Sequence, residues 1–343
     1  MNDISDSRDN NAGADSGAAS AIGPQRLEQA LDIVRRIGAE IRRAVVGQEQ
    51  VIDQVLACLL AGGHVLIEGV PGLGKTLLVR ALARTFAGEF ARIQFTPDLM
   101  PADVTGHAVF DMKHQSFSVR KGPVFAHLLL ADEINRAPAK TQSALLEAMQ
   151  ERQVTIEGEA HPLAPPFMVL ATQNPLEHEG TYPLPEAQLD RFLVKLRIGY
   201  PSQEEEEAML RLVTRQRVGD GLDVAQLAAL VKPETIVALQ QLVAHIRVDD
   251  SVAAYAVRLV RASRDWPGIA IGAGPRGSIA LVRMARALAL LAGRDYATPD
   301  DIKAASLPVL RHRIAIAPES ELDGLDSDAV LQGLVQQTAA PRA

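Results

Sequence analysis

Cysteine is nearly absent from this sequence: Cys58 stands alone, so no disulfide bond can form within the chain. Small extracellular domains often depend on disulfides, and their absence here indicates a reducing compartment. The amino-terminal residues MNDISDSRDN are polar and acidic, unlike a signal peptide. No apolar run reaches the ~18–20 residues that are needed to cross a bilayer. We therefore expect a soluble cytoplasmic protein without membrane insertion.

Basic residues are in the minority, with 35 Lys and Arg against 42 Asp and Glu and a net charge of −7. Proteins that bind nucleic acid usually carry a basic surplus, so we expect no nucleic-acid partner. The eight histidines form no H-E-x-x-H or other compact ligand set, so no zinc site is indicated. Aromatic residues make up only 4% of the chain, whereas Ala and Leu are abundant and favour helices.

The chain has 343 residues, more than the roughly 250–300 at which single cores stop growing, which predicts two domains. Residues 1–23 are small and polar, and we expect a disordered tail there. Residues 24–200 and 201–338 differ in their patterns and are predicted to be the two domains. Residues 339–343 are predicted to be a second tail.

Strand and helix patterns alternate in the first domain, which predicts a parallel sheet with helices on both faces. Helices are predicted from Pro24 and over Val51–Leu60, and two further stretches, Val104–Gly122 and Val154–Pro166, are predicted to be hairpins. The predicted strands are His64–Glu68, Phe90–Phe95, Leu128–Ala131, Phe167–Thr172 and Phe192–Ile198.

No strand alternation follows Pro201, and the second domain is predicted to be all-helical. Ser202 with Glu205 forms a capping box, and Thr298-Pro299-Asp300-Asp301 is a typical helix start. The predicted helices include Asp223–Leu230, Pro233–Ile246, Ser251–Arg264, Ser278–Ala292, Pro299–Val309 and Asp328–Gln337.

A phosphate-binding loop follows the first predicted strand. Gly69-Val-Pro-Gly72-Leu-Gly74-Lys75-Thr76 matches G-x-x-x-x-G-K-[ST] and precedes a predicted helix. The glycines let the backbone turn tightly and point its N–H groups inward, and the helix adds the positive end of its dipole. Lys75 is expected to reach the β- and γ-phosphates of ATP, and Thr76 to bind Mg²⁺. Pro71, Leu73 and Leu77, in or next to the loop, are also expected to contact the nucleotide.

Two adjacent carboxylates end the third predicted strand. Asp132 and Glu133 follow the apolar run Leu128–Ala131, and the carboxyl ends of parallel strands meet at the ligand-binding edge of such a sheet. Asp132 is expected to hold Mg²⁺, and Glu133 to polarise the attacking water. Such pairs also cap helices, but this pair occurs downstream of a phosphate-binding loop.

Further motifs make the sequence resemble the MoxR family of AAA+ ATPases over about residues 25–338. They are the segments Val46–Gln48, Phe95–Gly106, Ala131–Ala137, Ala171–Pro175, Tyr182–Phe192 and Gly274–Arg276, together with the phosphate-binding loop. The resemblance implies a P-loop AAA+ fold: a three-layer αβα core with a parallel five-stranded sheet, two inserted β-hairpins and a C-terminal all-helical lid.

The resemblance also implies residue roles. Asn174 matches sensor 1 at the end of the fourth strand, Arg191 the arginine finger offered to a neighbouring subunit, and Arg276 sensor 2. Val46 and Gly47 match the segment that packs against adenine. Simpler interpretations remain open, with Asn174 a turn residue, Arg191 paired with nearby acids, and Arg276 a solvated helix-start residue or one that acts on a neighbour's nucleotide.

The implied function is ATP hydrolysis in a homo-oligomeric ring, expected to be a hexamer, that remodels or matures a partner protein. Relatives often act with proteins that carry a von Willebrand factor A domain, and such a client is the expected partner. The ATPase subunit of a magnesium or cobalt chelatase is an alternative. A DNA-dependent motor and a nucleotide-dependent switch with little turnover are two others. Arg136 is expected either in a surface salt bridge or in contact with a neighbouring subunit.

Overall fold

The computed structural model describes residues 22–70, 72–174, 181–214 and 224–341. Most of the predicted amino-terminal tail and Pro71 of the phosphate-binding loop lie outside these residues. The boundaries predicted for the two domains and the two tails stay predictions.

The amino-terminal part alternates strands with helices, as the sequence predicts. Its helices are α1 (Pro24–Ala44), α2 (Glu49–Leu60), α3 (Lys75–Thr85), α4 (Pro101–Thr105), α5 (Ala139–Glu151) and α6 (Glu186–Leu189). Its strands are β1 (Val65–Glu68), β2 (Phe90–Gln94), β3 (Gly106–Asp111), β4 (Ser116–Lys121), β5 (Leu128–Asp132), β6 (Gln153–Ile156), β7 (Glu159–Pro162), β8 (Met168–Gln173) and β9 (Val194–Arg197).

Five of these strands form one parallel sheet in the order β2-β5-β8-β1-β9. Strand β8 therefore lies between β1, which leads into the phosphate-binding loop, and β5, which ends in Asp132. All five carboxyl ends meet at the same edge, as parallel pairing requires. The order thus brings the loop, the two acids and Asn174, which follows β8, to one edge of the sheet.

Alternate strand residues face two separate apolar cores. Val65 and Ile67 of β1 pack with α1, α2 and α3 on one face, and this core continues into the C-terminal helices. Leu66 between them points to the other face, where it joins α5 and the buried Val154 of β6. Period-two burial on both faces produces the predicted three-layer αβα arrangement.

Two hairpins interrupt the alternation, and both were predicted. Strands β3 and β4 pair antiparallel, as do β6 and β7. Glu157 and Gly158 both have positive φ at the second turn, the geometry of a tight hairpin turn. In the first hairpin Phe110 lies opposite Phe117, and these rings are 50% and 75% exposed. The first hairpin therefore presents aromatic surface to solvent.

The C-terminal part is helical. Its helices are α7 (Gln203–Thr214), α8 (Pro233–Ala244), α9 (Asp250–Ala262), α10 (Pro275–Leu291), α11 (Pro299–Leu310), α12 (Pro318–Leu322) and α13 (Ser327–Gln337). Two small strand pairs, which the sequence does not predict, join the ends of helices: β10 (Arg247–Val248) with β12 (Tyr296–Ala297), and β11 (Ile269–Ile271) with β13 (Ala315–Ile316). Both predicted helix starts are confirmed, since Ser202 and Glu205 exchange hydrogen bonds, as do Thr298 and Asp301.

The helix predicted over Asp223–Leu230 is wrong for its described residues, which contain only a 3-10 turn at Val224–Gln226. Beyond the Leu227–Val224 bond of that turn, the backbone of this segment bonds to other elements. The Ala228 N–H donates to Glu40, the Leu230 N–H donates to the Thr85 carbonyl, and the Leu227 carbonyl accepts from Arg84. Tertiary hydrogen bonds have replaced the helical ones. Among the described residues, no helix is both long and apolar enough to cross a membrane.

Candidate functional site

The backbone of the phosphate-binding loop requires glycine at two positions. Gly72 and Gly74 have φ of 86° and 74°, and an added Cβ would meet no atom within 4 Å at either. The requirement is therefore conformational and not steric, since residues with a side chain rarely adopt this region. Gly74 is the N-cap residue of α3, whose amino-terminal end faces the loop.

Lys75 is half-buried beside this loop. Its Nζ donates to the Gly69 carbonyl at 2.5 Å. Burial lowers the pKa of Lys75, while the carboxylates of Asp132 and Glu133 act in the opposite direction and favour the charged form. The ammonium thus lies in a partly desolvated cradle where its charge acts more strongly than in water.

Asp132 is buried and its carboxylate has two partners. Arg92 Nε donates to Oδ2 at 2.7 Å, and the Thr172 hydroxyl donates to Oδ1 at 3.0 Å. The same hydroxyl accepts the Glu133 N–H at 2.9 Å, so Thr172 fixes both acidic residues relative to β8. One charged and one neutral donor therefore fix the position of this buried carboxylate.

Glu133 is placed by an unusual backbone conformation. Its φ of 55° and ψ of 50° lie in the left-handed region, which costs about 1–3 kcal/mol for a residue other than glycine. Its Oε2 accepts from Gln94 Nε2 at 2.7 Å and lies 3.0 Å from Arg136 Nε. Arg136 therefore makes the expected salt bridge, and whether it also touches a neighbouring subunit stays a prediction.

Most of the predicted residues line one cavity of about 480 Å³ at this edge of the sheet. The lining includes Val46, Gly69, Gly72, Leu73, Gly74, Lys75, Thr76, Leu77, Asp132, Glu133 and the buried Asn174. Gly47 is not part of this lining, although it adjoins Val46 and has φ of 74°. The structure thus brings together residues that are more than 120 positions apart in the sequence, because the strand order β5-β8-β1 makes them neighbours.

Sequence reasoning missed several members of this lining: Val45, Gln48, Arg80, Arg92, Gln94, Thr172, Gln173 and Met209. A signal existed for Gln94 and Gln173, since both end parallel strands at the ligand-binding edge. None existed for Met209, which reaches the cavity from α7 in the helical part. Gln48 also donates to the Leu73 carbonyl at 3.3 Å and so joins the amino-terminal segment to the loop.

Arg191 and Arg276 do not line this cavity but meet in a second one of about 350 Å³, which shares no described lining residue with the first. Three further arginines, Arg152, Arg283 and Arg313, also line it. Asp190 is the one carboxylate among its described lining residues; it accepts from Arg313 Nε at 2.8 Å and lies 3.4 Å from Arg276.

The contacts in the second cavity bear on the simpler interpretations of Arg191 and Arg276. Arg191 makes no side-chain hydrogen bond or salt bridge within the described part of the chain, so it is not paired with Asp190 there. Arg276 is exposed but pairs with Asp190 across the cavity. Neither arginine lines the first cavity of its own chain. A concentration of guanidinium groups with one acid suits an anion supplied from outside the chain.

The first cavity also fits Mg²⁺. The Thr76 hydroxyl and the Asp132 carboxylate both line it, and oxygen is the ligand type that this ion prefers. Both Asp132 oxygens already accept hydrogen bonds, so contact through water suits them. Sites with few protein ligands, completed by substrate phosphates and water, are usual for Mg²⁺.

The sheet, the loop and the paired acids define a P-loop nucleotide-binding protein with a helical lid. A family model described as "ATPase family associated with various cellular activities (AAA)" matches residues 64–194, and an AAA lid domain model matches residues 261–334. A solved protein from Cytophaga hutchinsonii, proposed to be an ATPase, superposes with a TM-score of 0.86 at 39% identity. That superposition covers 93% of this chain and 98% of the other.

Curated relatives narrow the class further. Chaperone MoxR1 of Mycobacterium tuberculosis is 43% identical and aligns over 93% of this chain and 85% of its own length. Protein MoxR of Methylorubrum extorquens is 34% identical over 85% and 90%, respectively. The uncharacterized protein YeaC of Bacillus subtilis is 48% identical over 88% and 92%. This chain therefore belongs to the MoxR family of AAA+ ATPases.

Proposed function

We propose that this protein binds ATP with Mg²⁺ and hydrolyses it. The observation that carries the proposal is one cavity lined by the phosphate-binding loop, two strand-end carboxylates and Asn174. A nucleotide switch without turnover would need the phosphate-binding loop. It would not need Glu133, an acid beside the loop with a strained left-handed backbone. No specific observation favours the alternatives of a chelatase subunit or a DNA motor.

The residues that line the first cavity have separate proposed roles in binding and hydrolysis. The loop N–H groups and Lys75 hold the phosphates and neutralise their charge. Thr76, and Asp132 through water, would hold Mg²⁺, and the ion would supply neutralisation of the phosphate charge. Glu133 orients and polarises the attacking water, and Asn174 contacts the γ-phosphate or that water.

For the Glu133 carboxylate to act on water, it must be accessible beyond its two present partners. Its side chain is 25% exposed, and both Gln94 and Arg136 bind the same oxygen, Oε2. Oε1 has no partner within the described residues, so one carboxylate oxygen can accept a proton from water while the other stays anchored. An anchored base fits general-base catalysis, in which position matters as much as pKa.

Removal of divalent metal should stop turnover. With excess EDTA, phosphate release should fall to the background of Glu133→Gln, and added Mg²⁺ should restore it, because Thr76 and Asp132 offer oxygen ligands for the ion. Phosphate release followed at fixed ATP concentration would measure this. Turnover that persists in EDTA above the Glu133→Gln background would contradict the metal assignment.

We further propose that hydrolysis takes place in a homo-oligomeric ring, with six subunits, and drives remodelling or maturation of a partner protein. The position of Arg191 and Arg276 in a separate cavity supports a site completed between neighbours. The name of the relative Chaperone MoxR1 supports a protein client. A client with a von Willebrand factor A domain stays a prediction from the resemblance, and a cytoplasmic location stays a prediction from the composition and the amino-terminal sequence.

The first hairpin is the proposed client contact. Deleting its tip, Met112–Gln115, should leave basal hydrolysis intact and abolish client-dependent activity, because the tip is solvent-exposed and does not line the first cavity. The measurement is the stimulation of phosphate release by a partner retained on immobilised Glu133→Gln in ATP.

A matched control for this deletion is Leu322→Ser. Leu322 is 89% exposed, close to the 85% of Met112, but lies at the end of α12. This variant should keep both activities. Full stimulation of the hairpin deletion by the partner would rule out the proposed role of the tip.

A further inference from the structure

The segment Asp190–Leu193 carries Arg191 and joins α6 to β9. It is a turn, so its carbonyl oxygens take no part in a helix or a strand ladder. Buried carbonyl groups need partners, and a turn that lacks them would not hold one conformation. The contacts that hold this segment therefore set the backbone position from which the Arg191 side chain extends.

Arg313, which follows α11 in the helical part, supplies these partners. A guanidinium has five N–H donors, and here all five have acceptors. Nε donates to Asp190 Oδ1 at 2.8 Å, one terminal nitrogen to the carbonyls of Leu193 at 3.2 Å and of Val309, and the other to the carbonyls of Asp190 at 3.2 Å and Phe192 at 2.7 Å. Four of the five acceptors thus belong to the turn that carries Arg191.

The surroundings of Arg313 make this arrangement rigid. Its side chain is only 4% exposed. Burial lowers the pKa of Arg313, the Asp190 carboxylate opposes that effect, and Arg283 and Arg276 add to it as like charges. The neighbouring His312 places Nε2 3.0 Å from the Phe192 carbonyl and 2.8 Å from a terminal nitrogen of Arg313, so a second side chain packs against the same turn. A fully bonded, buried guanidinium has little freedom to rearrange.

Arg191 differs from Arg313 although both line the second cavity. Arg191 is partly exposed and has no side-chain partner in the described part of the chain. We propose that Arg313 is a positioning residue for Arg191: it fixes the turn so that the free guanidinium is presented to the ATP of a neighbouring subunit. This inference rests on the proposed function, in which Arg191 acts between subunits.

A purely structural role for Arg313 is the competing explanation, and the two differ in one respect. If Arg313 only stabilises the fold, weakening it should damage both the nucleotide cavity and the Arg191 turn. If Arg313 positions Arg191, only the contribution to the neighbour's site should suffer. Arg313→Lys suits this comparison, because lysine keeps the positive charge but has three donors in place of five.

The test is hydrolysis in mixed assemblies. Arg313→Lys alone should bind ATP normally and hydrolyse it about 10- to 100-fold more slowly, the range expected for a misplaced group. Mixing it with Lys75→Ala should restore activity, because an intact phosphate-binding loop then meets an intact Arg191. Mixing it with Arg191→Ala should restore nothing, because neither subunit presents a working guanidinium.

The control is Arg294→Lys, which weakens another arginine–carboxylate pair of the helical part, with Asp301 at 2.6 and 2.8 Å. It should hydrolyse ATP at the wild-type rate. If a thermal unfolding measurement shows that Arg313→Lys is not folded, Asp190→Asn is tested in its place. The amide keeps the size of the side chain but loses its charge. The same pattern of restoration is expected.

Three results would overturn the inference. One is a wild-type rate for Arg313→Lys. In the second, mixing with Lys75→Ala restores the activity of Arg191→Ala but not that of Arg313→Lys. That result leaves the proposed function intact and assigns Arg313 a structural role. The third is no restoration for either variant, which refutes action between subunits and the positioning role with it.

Discussion

Lys75→Ala is expected to lose nucleotide binding, whereas Glu133→Gln is expected to keep binding and lose turnover. Lys75 provides the ammonium that neutralises phosphate charge in a half-buried cradle beside Gly69. Glu133 does not belong to the loop, and its replacement removes only the group that polarises water. A positioned general base contributes about 10²- to 10⁴-fold, so the steady-state rate of Glu133→Gln should fall by that order.

Two measurements separate these variants: equilibrium titration with ATP and steady-state release of phosphate. Lys140→Ala and Glu147→Gln are matched controls, because both residues are exposed on α5 and line neither cavity. Both controls should behave as wild type. Normal turnover by Glu133→Gln would show that another group activates the water, and the assignment of Glu133 as the base would then be wrong.

The amide of the Glu133→Gln side chain should retain part of the local structure. The Gln94 amide donates to Glu133 Oε2, and a glutamine at position 133 still offers one oxygen to it. The salt bridge from Arg136 becomes an ordinary hydrogen bond. The variant should therefore fold and bind ATP, which makes it suitable for trapping a client.

The sequence predicted most of the first cavity because the relevant signals are local. The phosphate-binding loop is one contiguous motif, and the left-handed φ of Gly72 and Gly74 accounts for its glycines. Asp132 ends one buried strand and Asn174 directly follows another, and parallel pairing places such ends together. The resemblance added residue roles, which stay predictions.

The second cavity could not be predicted in the same way. Arg313 meets Asp190 across 123 positions, and its signal is an unremarkable Arg-His-Arg after a helix. The short strand pairs of the helical part depend on similar distant contacts, because each strand has only two or three residues. The sequence predicts a helix over Asp223–Leu230, but in its described residues hydrogen bonds to Glu40 and to α3 prevail.

Catalysis is expected to require assembly, and Arg191→Ala should show it most clearly. Arg191 lines a cavity separate from the nucleotide cavity of its own chain, so a neighbour's ATP is its proposed target. An arginine that stabilises transition-state charge is worth roughly 10³–10⁵ in rate in GTPases. Arg191→Ala should therefore bind ATP and hydrolyse it very slowly, whereas Arg261→Ala, an exposed arginine of α9, should leave the rate unchanged.

Two further results follow if Arg191 acts on the neighbour. Activity per subunit should rise with protein concentration, in step with a ring seen by sedimentation in the presence of an ATP analogue. Mixing Arg191→Ala with Lys75→Ala should restore part of the activity, because one of the mixed interfaces joins an intact loop to an intact arginine. Neither variant alone has such an interface, so restoration cannot come from residual activity. Constant activity per subunit at concentrations where only monomers sediment would contradict action between subunits, and Arg191 would then be a surface arginine of the turn that Arg313 holds.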